Sequence, residues 1–405
     1  MVLVEEAINL LLDKVKPQKR CDKIDILEAN GCVLGEDICS PLSVPHFPKS
    51  GMDGYAIKSA DSSGAGKDTP ITLKVLGEVL AGDDKKFEVE DGTTVRIMTG
   101  GEVPEGYDCV VKQEDTNYGE EFVEIYKPME QWENYCKVGE DIIKGELVMK
   151  KHTRLTCSHI GVLTSMGISS VSVLSPLKVG IISTGSEIIR PEEPIGPAKV
   201  YSSSSYTIAS FLKSQNVDVK FMELCIDEVD LMCEKVMHQI DEIDILITTG
   251  AVSVGKKDII PEVLKKIGAE LIFKKVNMKP GTPVLSSCYR DKIILSFSGN
   301  PFACFTNFQI FFWPILAKFM QNKTYQLKKA KAVISEGTLK SSGLRRFVRA
   351  YEEDGEVRLV SNKHFSSVMS NILECNCLID QKAKTEIKVG DVVDILYIKN
   401  SMAFI

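Results

Sequence analysis

Between about residues 176 and 325 the chain repeats one rhythm: an apolar run, a loop of small and polar residues, then a helical pattern. "LKVGIIST" is followed by a helix near 204–215, "VDVKFMELC" by one near 228–240 and "IDILITT" by one near 258–267. "ELIFKKV", "KIILSFSG" and an apolar helix starting at Pro301 complete the series. Apolar strands alternating with helices bury both faces of a sheet under those helices, which predicts a doubly wound, mostly parallel α/β sheet. Ligands of such sheets bind beyond the carboxyl ends of the strands, where loops lead into helices.

Three of these loops are chemically marked: "STGSEI" (Ser183–Ile188), "TTGAVSVGKKD" (Thr248–Asp258) and "FSGNPFA" (Phe297–Ala303). None is a GxGxxG fingerprint or a GxxxxGK[ST] loop. Together they would line one sheet edge with backbone N–H groups, hydroxyls and the carboxylates of Glu187 and Asp258. Backbone donors at helix N-termini suit phosphate oxygens, and carboxylates beside a phosphate require a cation between them, so Mg²⁺ is implied. Each residue also has a plainer reading. Asp258 precedes "IIPEVLKKIG" as a good N-cap, Glu187 suits the first turn of a helix, and Asn300-Pro301 suits a helix start. Lys279, on the Pro-Gly turn of "VNMKPGTPVL", is either an anion partner or a solvated lysine. In "SGLRRFVRA", strand alternation puts Arg345 and Arg349 on one face and Arg346 on the other, with a solvated hairpin face the commoner case.

The flanks differ from this middle. Residues 1–60 combine a helix with a Pro-rich loop, 61–140 alternate short apolar runs with glycine and acidic turns, and 326–405 return to β structure around an Asp354-Gly355 hairpin. A chain of 405 residues exceeds one ordinary core, so two to four domains are expected. The net charge of −7 argues against nucleic-acid binding. Twelve cysteines without a CxxC pair, and five histidines without HExxH, exclude the common zinc patterns and suit a reduced cytoplasm. The opening segment has Glu5 and Glu6 where a secretory signal would be apolar, and reads as an amphipathic helix ending before Pro17. Thr306, Asn307, Gln309 and Pro314 interrupt "FACFTNFQIFFWPILAKFM", which predicts a buried helix and no membrane span. In the N-terminal half, Asp53 sits in "KSGMDGYAIKSAD" and Thr99 at the strand end of "VRIMTGGEVPEGYDCVVKQED".

Taken in order, these segments resemble the molybdopterin molybdenumtransferase family, which includes bacterial MoeA and the E domain of gephyrin. "GMDGYAIKSAD", "VRIMTGGEVPEGYDCVVKQED", "STGSEI", "TTGAVSVGKKD", "MKPGTP" and "SGNP" are similar to its MDGYA, TGA-x-x-P-x-G-x-D-x-V, TG-x-E, GGVSVG-x-x-D, KPGKP and PGNP motifs. The resemblance implies a dimerisation part (1–20, 41–52, 140–175), a β-rich subdomain (21–40, 53–139), an α/β pterin-binding domain (176–325) and a C-terminal β-barrel (326–405). It also implies a homodimer with active sites shared between chains. The family reaction takes molybdate and adenylylated molybdopterin with Mg²⁺ and yields Mo-molybdopterin and AMP. A molybdopterin-adenylating enzyme and recipient molybdoenzymes are the implied partners.

On that resemblance Glu187 and Asp258 hold Mg²⁺, Asp227 borders the same site, and Asp53 and Thr99 approach from the partner chain. Thr184, Gly185, Gly250, Ser253, Gly255, Gly281, Gly299, Asn300 and Pro301 cradle the substrate. Lys279, Arg349 and Ser370 receive molybdate, with Arg345 and Asn371 as rivals.

The chain also departs from the family pattern. Ser186, Ser202, Ser204, Ala251, Lys256, Thr282, Ser298, Phe302 and Cys136 stand where the motifs have other residues; Thr282 replaces the second lysine of KPGKP. Two alternatives follow: a paralogue that binds a pterin or nucleotide, or anchors a partner protein, without metal transfer; and an enzyme of the molybdopterin-adenylating or nucleotide-pyrophosphate-cleaving classes.

Overall fold

The structure, a computed structural model, describes residues 1–252, 258–360 and 365–399. The N-terminal β unit is a five-stranded sheet of β1 (Gly54–Ile57), β2 (Ile71–Val79), β3 (Thr93–Ile97), β4 (Cys109–Lys112) and β5 (Phe122–Ile125), in the order β4-β1-β3-β2-β5. Its strands alternate between two apolar clusters, Tyr55, Ile57, Cys109 and Val111 on one side, Ala56, Val95, Ile97 and Val110 on the other. Period-two burial of this kind fixes the register, because a one-residue slip would exchange the faces.

Residues 21–40, expected with that sheet, pack elsewhere. Cys21–Asp25 pairs antiparallel with Ser170–Leu174, and Ile38–Cys39 pairs with Leu147–Met149. Ile26, Leu34 and Ile38 share a core with Leu163, Val171 and Val173, beside helix α2 (Cys157–Ser165). The five-stranded sheet is thus an excursion whose two stems meet.

The predicted α/β sheet is present, in the order β7-β6-β8-β11-β10-β9: β6 (Lys178–Thr184), β7 (Asp218–Cys225), β8 (Ile245–Thr249), β9 (Glu270–Lys274), β10 (Leu285–Tyr289) and β11 (Lys292–Phe297). Strands β7, β6, β8 and β11 run parallel, and β10 is antiparallel to both neighbours. Ile181, Ile245, Ile247 and Leu295 pack under α1 (Val4–Lys14), α3 (Ser203–Lys213) and α6 (Pro301–Phe319). Ile182, Leu246 and Ile294 pack under α4 (Val229–Gln239) and α5 (Ile260–Lys266). Adjacent residues of one strand therefore serve opposite helix layers, which is why these strands read as unbroken apolar runs. Helix α6 is long and apolar enough to cross a membrane, yet it is the core helix of this domain, with 89% of its apolar window buried. Two hydrogen bonds form inside it: Thr306 donates to Phe302 O (2.8 Å) and Trp313 Nε1 donates to Gln309 Oε1 (2.7 Å).

The C-terminal region closes into a barrel of β12 (Lys329–Glu336), β13 (Arg345–Glu353), β14 (Glu356–Leu359), β15 (Cys377–Gln381) and β16 (Val392–Tyr397), in the order β13-β14-β12-β16-β15 and back to β13. Asp354 and Gly355, both with positive φ, make the β13–β14 turn as expected. One short strand of the α/β domain, Met278–Lys279, adds in parallel to β13, with Met278 opposite Arg345 and Lys279 opposite Arg346. The basic face of β13 is accordingly no solvated hairpin. Arg345 makes a two-pronged bond to Asp380 (both 2.6 Å) and pairs with Glu5 of α1, and Arg349 is fully buried.

Candidate active site

A cleft of about 720 Å³ opens beyond the carboxyl ends of β6, β8 and β11. Thr184, Gly185 and Glu187 line it after β6, Gly250 and Asp258 after β8, and Gly299, Asn300 and Pro301 after β11, with Asp227 alongside. The loops fit because their backbones nearly touch. Gly250 has φ +93°, and a Cβ there would lie 2.5 Å from Thr184 O, so a side chain at 250 would push the first two loops apart. Ala251, where the family motif has glycine, also takes a positive φ of 51°.

The cleft floor is a chain of hydroxyls. Thr184 Oγ1 donates to Thr249 O (3.1 Å), Thr249 Oγ1 to Ser183 Oγ (2.9 Å), and Ser202 Oγ to Ser183 Oγ (3.3 Å). Ser202 and Ser205 are linked at 2.6 Å. In the sequence the serine run stands out only as a departure from the motif; its position just before a helix on the site edge is the signal for this network.

The plainer readings change with the geometry. Glu187 leads into the two-residue strand Ile188–Ile189, paired with Val200–Tyr201, so it is not in the first turn of a helix. Ile259 occupies the N-cap of α5, so Asp258 lies one residue outside the cap and still lines the cleft. Asn300 is the N-cap of α6 with Pro301 at the start, and its side chain makes no capping bond.

A second cleft of about 710 Å³ adjoins the first through Pro283, Ser298 and Asn300. Lys279, Gly281, Thr282, Arg346 and Arg349 line it. Gly281 has φ +91°, and a Cβ there would meet Asn307 Nδ2 at 2.3 Å. Asn307, buried in α6, donates to Gly281 O (2.9 Å) and accepts from Ser298 N (3.3 Å), tying the Lys279 turn to the third loop. In the sequence Asn307 shows only as an interruption of an apolar run.

Other expected residues lie apart. Ser370 and Asn371 sit on a short 3₁₀ turn, with Ser370 Oγ donating to Asn371 Oδ1 (3.5 Å), and line neither cleft. Arg349 gives its Nη2 proton to Phe365 O (3.1 Å) and Nη1 to Val368 O, with its guanidinium 3.8 Å from the Phe302 ring centre. Arg345 is held by Asp380. Ser253, Gly255 and Lys256 lie outside the described residues. Asp53 and Thr99 line neither cleft of their own chain but bond each other: Thr99 N and Oγ1 both donate to Asp53 Oδ1 at 2.7 Å. Those two donors hold the Asp53 carboxyl below its ordinary range.

For Mg²⁺ the donor chemistry fits. Among the described residues no three His, Cys, Asp or Glu side chains form a metal cluster. Mg²⁺, however, takes one or two carboxylates and completes its shell with substrate phosphates and water. Glu187 and Asp258, both acidic and both on the first cleft, meet that requirement.

Comparison with known proteins agrees over the whole chain. Residues 2–167 match the MoeA N-terminal region (domain I and II), and residues 180–318 match a probable molybdopterin binding domain. The molybdopterin molybdenumtransferase of Staphylococcus epidermidis is 32% identical over 98% of this chain and 95% of its own. That of Bacillus subtilis is 33% identical over 85% and 82%. The crystal structure of a molybdopterin biosynthesis MoeA protein from Pyrococcus horikoshii superposes with a TM-score of 0.87 at 25% identity, covering 99% of this chain and 100% of that one. With three of the six motifs meeting at the carboxyl ends of β6, β8 and β11, and this likeness along nearly its full length, the chain belongs to the molybdopterin molybdenumtransferase family.

Proposed function

We propose that the chain transfers molybdenum from molybdate into adenylylated molybdopterin, releasing AMP in an Mg²⁺-dependent reaction of molybdenum cofactor biosynthesis. The observation that carries this reading is the adjoining pair of clefts, one rimmed by Glu187, Asp227 and Asp258, the other holding Lys279. Backbone N–H groups after β6, β8 and β11 suit the pyrophosphate, and the hydroxyl chain beneath them keeps the floor polar. Glu187 and Asp258 would hold Mg²⁺, which when bound neutralises charge on the pyrophosphate and the departing phosphate. Lys279 orients molybdate, a tetrahedral dianion suited to charged N–H donors. Asp53, aimed and kept ionised by Thr99, would enter from the partner subunit of a homodimer. A molybdopterin-adenylating enzyme would supply the substrate and molybdoenzymes would receive the product, all in the cytoplasm.

One observation favours the second reading, a paralogue that binds without transferring metal. Thr282 stands where the family motif has a lysine, and its hydroxyl is committed to Met278 O. The two readings separate on AMP release from adenylylated molybdopterin with Mg²⁺. Release that requires molybdate and yields Mo-loaded pterin supports transfer; tight binding without AMP supports the paralogue.

A further inference from the structure

The second cleft carries a feature that neither the motifs nor the family resemblance assigns. Lys279 and Arg346 are register partners on adjacent parallel strands, so their side chains leave the sheet on the same side, next to each other. Their neighbours Met278 and Arg345 go to the other side, Met278 into the core and Arg345 to Asp380 and Glu5. Lys279 and Arg346 both line the cleft, and among the described residues neither is in an ion pair. Arg346 gives one donor, Nη1, to Lys340 O (3.3 Å), out of the five a guanidinium has. Arg349, by contrast, gives Nη1 to Val368 O and Nη2 to Phe365 O, which fixes the cleft wall. Two adjacent cations without carboxylates repel each other, and a dianion between them removes the repulsion.

We propose that Arg346 is an oxyanion-binding residue that pairs with Lys279 and replaces the positive charge lost at Thr282, so that the second cleft takes a tetrahedral dianion such as molybdate. The assignment deepens the transferase reading and rests on it for the identity of the dianion. Arg349 becomes a positioning residue, and substrate contact passes to the guanidinium three positions earlier on β13.

The test is calorimetric titration of the full-length protein with molybdate, and with tungstate as a second probe. Arg346→Ala should weaken binding on the order of tenfold or more, the loss expected for one charge-assisted contact. Arg346→Lys should fall between that variant and the wild type. Placing Thr282→Lys on the Arg346→Ala background should recover most of the affinity, a rescue that a merely structural role would not show. AMP affinity should be unchanged in all three. Near-wild-type molybdate binding by Arg346→Ala overturns the assignment, as does failure of the Thr282→Lys rescue in a protein with wild-type thermal unfolding, or a wild-type protein that binds no molybdate. Arg346-dependent binding without AMP release would sink the transfer reaction and keep this site; molybdate-dependent AMP release indifferent to Arg346 would do the reverse.

Discussion

Asp53 receives two hydrogen bonds from a single residue, and both favour its charged form. Removing the hydroxyl by Thr99→Val should move the Asp53 pKa upward, read by NMR titration of the carboxyl carbon; an unchanged value would mean the backbone donor alone sets it. Because the folded carboxyl is held low, this contact stabilises the loop above the ordinary carboxylate range and loses its effect as pH falls through the depressed value. Asp258→Ala should abolish Mg²⁺-dependent AMP release while leaving the fold intact by circular dichroism; near-normal turnover would remove Asp258 from the metal site. The position of Glu187 and Asp258 on the cleft was legible because strand ends of a doubly wound sheet are predictable from periodicity, whereas the pairing of Lys279 with a barrel strand was not. Alternation also assigned Arg345 and Arg349 to one face of β13. It could not say what covers that face, so their burial against Asp380, Glu5 and Phe302 became visible only in three dimensions.

Helix α6 shows what periodicity cannot report. Its apolar run was legible as a buried helix, but the partners of the Asn307 amide lie on two loops, one just before the helix and one 26 residues away. Asn307→Ala leaves the Gly281 carbonyl and the Ser298 amide without that partner in a buried setting, and should lower stability by about 1–3 kcal/mol in urea unfolding. Gly281→Ala should act on the same contact from the other side. The strand elements were read more completely than the loops, since a buried strand declares itself by composition. Hydroxyl networks such as Ser183–Ser202–Ser205 do not, because serine is equally at home in a solvated turn.

Over the whole molecule, Arg345 joins the barrel to the first helix through Glu5 and to β15 through Asp380. Burial pushes the Asp380 carboxyl up, yet the bonds from Arg345 and Lys382 outweigh it and hold the group below its ordinary range. A depressed folded pKa contributes stability that is present above the unfolded value and lost as pH falls through the folded one. Wild-type stability should therefore drop more steeply on acidification than that of Asp380→Asn, whereas at neutral pH the variant should be weaker by about 3 kcal/mol. Equal acid slopes would show that the pair does not couple folding to protonation. Sedimentation should give a dimer if Asp53 and Thr99 complete the cleft of a second chain, and a strictly monomeric species would undermine that arrangement.

The short strand at Met278–Lys279 makes the barrel's wall a composite of two regions of the chain, so the molecule is less modular than its architecture suggests. Grafting a relative's barrel onto this chain would exchange Arg346 and keep Lys279. Such a hybrid would inherit half of its anion preference from each parent, and a mismatch at that seam would surface as altered selectivity in a protein that folds normally.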